Sequence, residues 1–127
     1  PVVSVSVDAI RPQTGSVQSS DNVIVTLQYK DGSVCSLLYT GQGNAGMAKE
    51  RMEVFCDGAS CVLDDYRELI GFGMPSLKMK QQDKGHLNEW RGFYQSVKSG
   101  RQFPIAWEQL KETFLLSFQV AQAVRGI

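Results

Sequence analysis

Residues with chemical capacity gather in a few short stretches of this 127-residue chain. Gly41, Gly43 and Gly46 in GQGNAG carry the G-x-G-x-x-G spacing with which a dinucleotide loop brings backbone amides against a pyrophosphate. Lys49, Glu50 and Arg51 follow just after that loop as a charge run, most simply a solvated strand entry. In a functional reading they are a loop-borne contact to a sugar or to the cofactor end of an active site. Asp64 and Asp65 are adjacent carboxylates, and Asp83-Lys84-Gly85-His86 joins an acid, an amine and the only histidine.

Each candidate depends on its surroundings. A working dinucleotide loop needs a helix whose first amides hold the phosphates and an acid at the end of the next parallel strand. Here SVCSLLYT, before the glycines, is the second arm of a hairpin turning at Lys30-Asp31-Gly32-Ser33, so it runs antiparallel to its neighbour. After the glycines, Met52, Val54 and Cys56 alternate with Glu53 and Phe55 up to a second turn at Asp57-Gly58. A helical register over 47–56 would also group Ala48, Met52 and Phe55, but no helix–strand alternation follows to complete a doubly wound sheet. GQGNAG therefore reads as an inter-strand loop, and no cofactor-binding residue is assigned.

The remaining candidates divide similarly. On a strand, Asp64 and Asp65 point to opposite faces and do not form a metal pair. His86 opens a helix, where a surface or hydrogen-bonded role is the ordinary one; a general base also needs a pocket and a partner. Asp83 and Lys84 beside it would cap that helix or meet a substrate hydroxyl. Cys35, Cys56 and Cys61 lack metal-ligand spacing and read as buried small hydrophobes in a reducing compartment, so no metal residue is assigned.

These residues must be positioned by elements legible in the pattern. Val3, Val5 and Val7 alternate with Ser4 and Ser6 as a half-buried strand, which opens mid-pattern at Pro1 as an excised domain would. A polar loop over 11–22 leads to the two hairpins, and YRELIGFG and LKMKQQ add two more strand candidates. Helical spacing then takes over: Leu87, Trp90, Phe93, Tyr94 and Val97, stopped by Gly100, and Trp107, Leu110, Phe114, Phe118, Ala121 and Val124. Strands first and helices last predicts one α+β domain over 1–127, a mostly antiparallel open sheet of about six strands with two C-terminal helices on one face. Two helices leave part of the sheet bare, a surface suited to self-association. Thirteen basic residues balance thirteen acidic ones, which speaks against a nucleic-acid or anionic-membrane partner. No apolar run is long enough to span a bilayer.

In order and spacing, DNVIVTLQYKDGSVCSLLYT, KERMEVFCDGASCVLDDYREL, QDKGHLNEWRGFYQSVKSG and PIAWEQLKETFLLSFQVAQAV resemble the C-terminal domain of the glucose–fructose oxidoreductase, inositol dehydrogenase and MocA (Gfo/Idh/MocA) family, from about Asp21 to Val124. The resemblance implies a cytoplasmic parent enzyme whose own N-terminal Rossmann domain binds NAD(P), and which transfers hydride at a sugar, cyclitol or related alcohol. This domain would then shape the substrate pocket and join subunits. A zinc-dependent alcohol dehydrogenase module fused upstream is a variant of that expectation. The family's catalytic lysine and its Asp/His helix have no counterpart here, so no catalytic residue is assigned and the fragment alone should be silent. Asn44, Lys49, Arg51, Lys84 and His86 are the residues expected to reach substrate. The rival expectation is a stand-alone binding or assembly module with the same sheet.

Overall fold

The computed structural model describes residues 1–13 and 15–126; Thr14, inside the 11–22 loop, and Ile127 lie outside them. The chain divides into two compact units, Pro1–Gly43 with Ile105–Ile127, and Asn44–Pro104. The class is the expected α+β.

In the first unit, β1 (Val2–Ala9), β2 (Asn22–Tyr29) and β3 (Val34–Thr40) form an antiparallel sheet in the order β1-β2-β3. The β2–β3 turn is the sequence-predicted one. Gly32 takes φ 89°, and the Tyr29 N–H donates to Ser33 O at 2.9 Å. Within the turn the Ser33 N–H donates to Asp31 Oδ1 at 3.0 Å, and this bond holds the exposed carboxyl below its ordinary value. Register stacks Ala9–Val23–Tyr39, Val7–Val25–Leu37 and Val5–Leu27–Cys35 on one face and Ser6–Thr26–Ser36 on the other. The helix α2 (Trp107–Arg125) packs along β1, and the Val2 N–H donates to Glu112 Oε1 at 2.7 Å.

Two expectations change here. The register shifts between Val2 and Ser4, a bulge that takes Val3 out of the alternation and leaves it exposed. The residues of α2 that become half-buried include Glu112, Leu116, Val120 and Val124, spaced by four, whereas Trp107, Phe114 and Phe118 stay exposed. The helix turns its aliphatic edge inward and its aromatic stripe outward.

The second unit holds β4 (Arg51–Cys56), β5 (Ala59–Asp64), β6 (Glu68–Phe72) and a two-residue β7 (Leu77–Lys78), antiparallel and in chain order, then α1 (His86–Ser99). Among the described residues the strands thus number seven in two sheets, where one sheet of about six was expected. The loop 41–50 carries no strand, and no ladder continues across it. The β4–β5 turn is Asp57-Gly58 with φ 48° and 78°, both positive as a type I′ hairpin requires. Cross-strand register builds two opposed surfaces. Met52–Leu63–Leu69–Leu77 run across all four strands on one face; Arg51–Asp64–Glu68–Lys78 do so on the other. The charged row places a cation at each end and two carboxylates between them, with Lys78 Nζ 3.2 Å from Glu68 Oε1.

Val23 and Val25 are the only buried apolar residues among those described. Burying each contributes about 1.5–3 kcal/mol. The core is therefore small, and Leu37, Leu38, Met52, Phe55, Phe72 and Leu77 remain more than half exposed. The cysteines follow the same rule. Cys35 and Cys56 are exposed, on β3 and β4 whose residues are exposed throughout, and Cys61 is half-buried, against the expectation of burial.

Candidate functional site

The β5–β6 hairpin turns on two residues that resist the shape they adopt. Asp65 and Tyr66 have φ of 47° and 53°, and the Arg67 N–H closes the turn on Asp64 O at 2.9 Å. Neither is glycine, and an L-residue in this region costs roughly 1–2 kcal/mol. The alternation expected to place Asp65 on a strand fails at this point: Asp64 ends β5 and Asp65 belongs to the turn. Among the described residues no three His, Cys, Asp or Glu side chains group as metal ligands.

Two flanking segments hold this turn. Before it in sequence, Glu50 O accepts the Asp65 N–H at 2.7 Å. After it, Gln82 Nε2 donates to Asp65 O at 2.9 Å, the Asp83 N–H donates to Tyr66 O at 3.2 Å, and the Met79 N–H donates to Arg67 O at 2.8 Å. The carbonyls that the turn leaves outside the ladder thus find partners. Asp83 Oδ1 then accepts the Gly85 N–H at 2.8 Å, and Gly85, at φ 80°, starts α1 with His86 as its first residue.

This scaffold brings the KER and DKGH segments together. Lys84 Nζ lies 3.2 Å from Glu50 Oε1 and 5.8 Å from the centroid of the Tyr66 ring. The result is a surface cluster with an ammonium, a carboxylate and a phenol hydroxyl, each able to exchange hydrogen bonds with a polyol. Asp65, its side chain 17% exposed, pairs with Arg67 at 3.4 Å beside it.

The predicted site residues distribute unevenly around this cluster. Lys84 is in it. Lys49 is exposed in the loop next to Glu50. Arg51 begins β4, but its guanidinium is engaged by Glu53, with Nη2 to Oε1 at 2.8 Å. His86 is exposed at the start of α1, and its ring makes no hydrogen bond among the described residues. Asn44 serves its own turn instead: its Oδ1 accepts the Gly46 N–H at 2.8 Å and its carbonyl accepts the Met47 N–H at 3.0 Å. Tyr66 was not singled out from the sequence, and Glu50 was named only within the Lys49–Arg51 charge run. The signal for Tyr66 is the D-D-Y-R stretch between two apolar runs, which can be read as a turn as well as strand.

GQGNAG lies between β3 and β4, each antiparallel to its neighbour, and the next element after the glycines is a strand. The helix N-terminus that a dinucleotide loop needs is not formed there. No family model, curated protein or solved structure matches this chain.

Proposed function

We propose that this chain is the substrate-pocket and assembly domain of an NAD(P)-dependent oxidoreductase acting on a sugar, cyclitol or related alcohol. In this reading the dinucleotide belongs to the Rossmann domain of a cytoplasmic parent protein of the Gfo/Idh/MocA kind, and this domain binds no cofactor or metal itself. The observation that carries the reading is the meeting of Glu50, Tyr66 and Lys84 on one hairpin end. Hydroxyl-rich substrates are recognised by such mixtures of donors and acceptors on a rigid frame. Lys49 precedes Glu50 in the chain, His86 follows Lys84 by two residues, and both are exposed. The domain's work is positioning: hydride transfer needs the carbinol carbon held against the nicotinamide, and orientation supplies a large part of the rate. Neither a nucleic acid nor a membrane is a partner in this reading. No helix among the described residues is long and apolar enough to cross a bilayer.

The deciding experiment starts from the coding sequence upstream of Pro1. It should encode a strand, a glycine loop on a helix, a Lys-Pro segment and an Asp/His helix, alone or behind a zinc-dependent alcohol dehydrogenase module. The full protein should then oxidise a sugar or cyclitol with NAD(P), and Lys84→Met should lower kcat/KM about 10-fold or more. If no dinucleotide-binding unit is encoded, the oxidoreductase reading falls.

A specific observation favours the second reading, an assembly module without catalysis. The rows Val7–Val25–Leu37 and Met52–Leu63–Leu69–Leu77 each end in an exposed leucine, and apolar surface of this kind is characteristic of subunit interfaces. Sedimentation equilibrium tests it, because a strict monomer at high concentration would remove the self-association common to both readings.

A further inference from the structure

Beyond α1 the chain turns back on the helix that it has just left. Gly100, at φ 65°, stops α1, and the Arg101 N–H returns to Ser96 O at 3.1 Å. The Ser96 hydroxyl lies 2.9 Å from Gly92 O and 3.2 Å from Gln102 O, fixing the returning strand of chain to the helix. Pro104 then lies over Gly92, where an added Cβ would come within 3.5 Å of Pro104 Cγ. Between these two anchors sits Phe103.

The return assembles three rings and one acid. Phe103 stands 5.8 Å from Phe93 at 78°, and Phe93 stands 6.2 Å from Trp90 at 88°. Glu89, Trp90, Phe93 and Phe103 line one cleft of 360 Å³. Rings at near right angles make walls rather than a stack, and Trp90 and Phe93 keep 70% and 49% of their surface open. Glu89 is the only ionisable group in the lining.

We infer that this cleft binds a small alkylammonium cation. Ring faces attract a cation through their quadrupole, by about 0.5–1 kcal/mol at exposed sites and more where water is excluded. A methylated ammonium spreads its charge over an apolar shell. It therefore loses little on entering between aromatic walls that accept no conventional hydrogen bonds, whereas a primary ammonium gives up strong hydration there with Glu89 as the one carboxylate to replace it. Glu89 complements the charge and disfavours anions. This site is separate from the Glu50–Tyr66–Lys84 cluster, and the inference stands or falls independently of the oxidoreductase reading.

The test is a titration of the whole chain with tetramethylammonium chloride and with choline chloride, followed at the indole N–H of Trp90 by NMR. The neutral carbon isostere 3,3-dimethyl-1-butanol and sodium chloride serve as controls. Saturable shifts are expected, with Kd of about 1–10 mM for choline and at least about fivefold weaker binding of the isostere. Glu89→Gln, a surface change that keeps the side chain's size, should weaken choline binding about threefold, and Trp90→Leu, followed instead at the backbone amides of Phe93 and Phe103, about tenfold. Equal affinity for choline and its isostere would reduce the site to a greasy cleft and overturn the inference, as would the absence of saturation or an unchanged affinity in both variants.

Discussion

Lys84 and Glu50 are 34 residues apart in sequence, and their charged groups stand 3.2 Å apart in the structure. The same ammonium faces the ring of Tyr66 at 5.8 Å. One side chain thus ties the entry of β4, the β5–β6 turn and the approach to α1. Its energetic weight is small, because Lys84 is 34% and Glu50 47% exposed, and exposed pairs contribute about 0.2–1 kcal/mol. What the contact adds is position.

Lys84→Met should therefore lower stability by no more than about 1 kcal/mol, and the loss should shrink as salt rises from about 0.1 to 1 M. Urea denaturation at the two salt concentrations measures both effects. A salt-independent loss of several kcal/mol would show that Lys84 acts through packing instead.

At Tyr66 the backbone sets the order of tolerated residues. Asparagine accepts the left-handed region and a β-branched residue does not. Tyr66→Asn should be more stable than Tyr66→Val by about 1–2 kcal/mol, although both lose the ring beneath Lys84. Thermal melts of the two variants compare them directly. Equal stability would mean that the turn relaxes out of its positive φ when the ring is removed.

Two glycines should respond in opposite ways. A Cβ on Gly71 would meet the Met74 carbonyl oxygen and lie 2.7 Å from Pro75 O, both backbone atoms, so Gly71→Ala should cost about 1–3 kcal/mol. Nothing lies within 4 Å of the corresponding position on Gly43. Gly43→Ala should stay within about 0.5 kcal/mol of the parent. Denaturation midpoints decide between them, and a large loss at Gly43 would give that loop a structural duty of its own.

Asp31 supplies the pH prediction. The Ser33 backbone N–H stabilises the charged carboxylate and lowers its folded-state value from the ordinary 3.8. A depressed carboxyl stabilises the fold above its unfolded value, and that contribution is lost as pH falls through the folded one. Carboxyl-carbon NMR should place the Asp31 midpoint below that of an unfolded reference peptide. A midpoint at or above the reference would mean that the turn bond does not persist in solution.

The sequence exposed what is locally determined. Asp31-Gly32 and Asp57-Gly58 announced their hairpins because positive φ is written into those residue types, and Gly100 announced the end of α1 for the same reason. Asp65-Tyr66 escaped because its φ values are imposed by neighbours, through bonds from Glu50, Gln82 and Asp83, and not by its own preference. The helical stripes were legible as stripes, but not which edge of α2 would turn inward, since that depends on what β1 offers across the interface. Lys84 could be singled out by composition. The pairing could not, because the chain between positions 34 apart had to fold before the two met. Phe103 lay outside both helical patterns, and only the return over Gly92 gives it a role.

The charged row across the second sheet has a consequence for how that sheet finds itself. Arg51, Asp64, Glu68 and Lys78 work as an alignment key: in the native register the two carboxylates that face each other are flanked by a cation on either side. Sliding β4 by a single residue against β5 would carry Arg51 toward the leucine face and bring Met52 among the carboxylates. The mismatch is felt twice, once as stranded charge and once as wetted hydrocarbon, so the slipped register is disfavoured on both faces of the sheet.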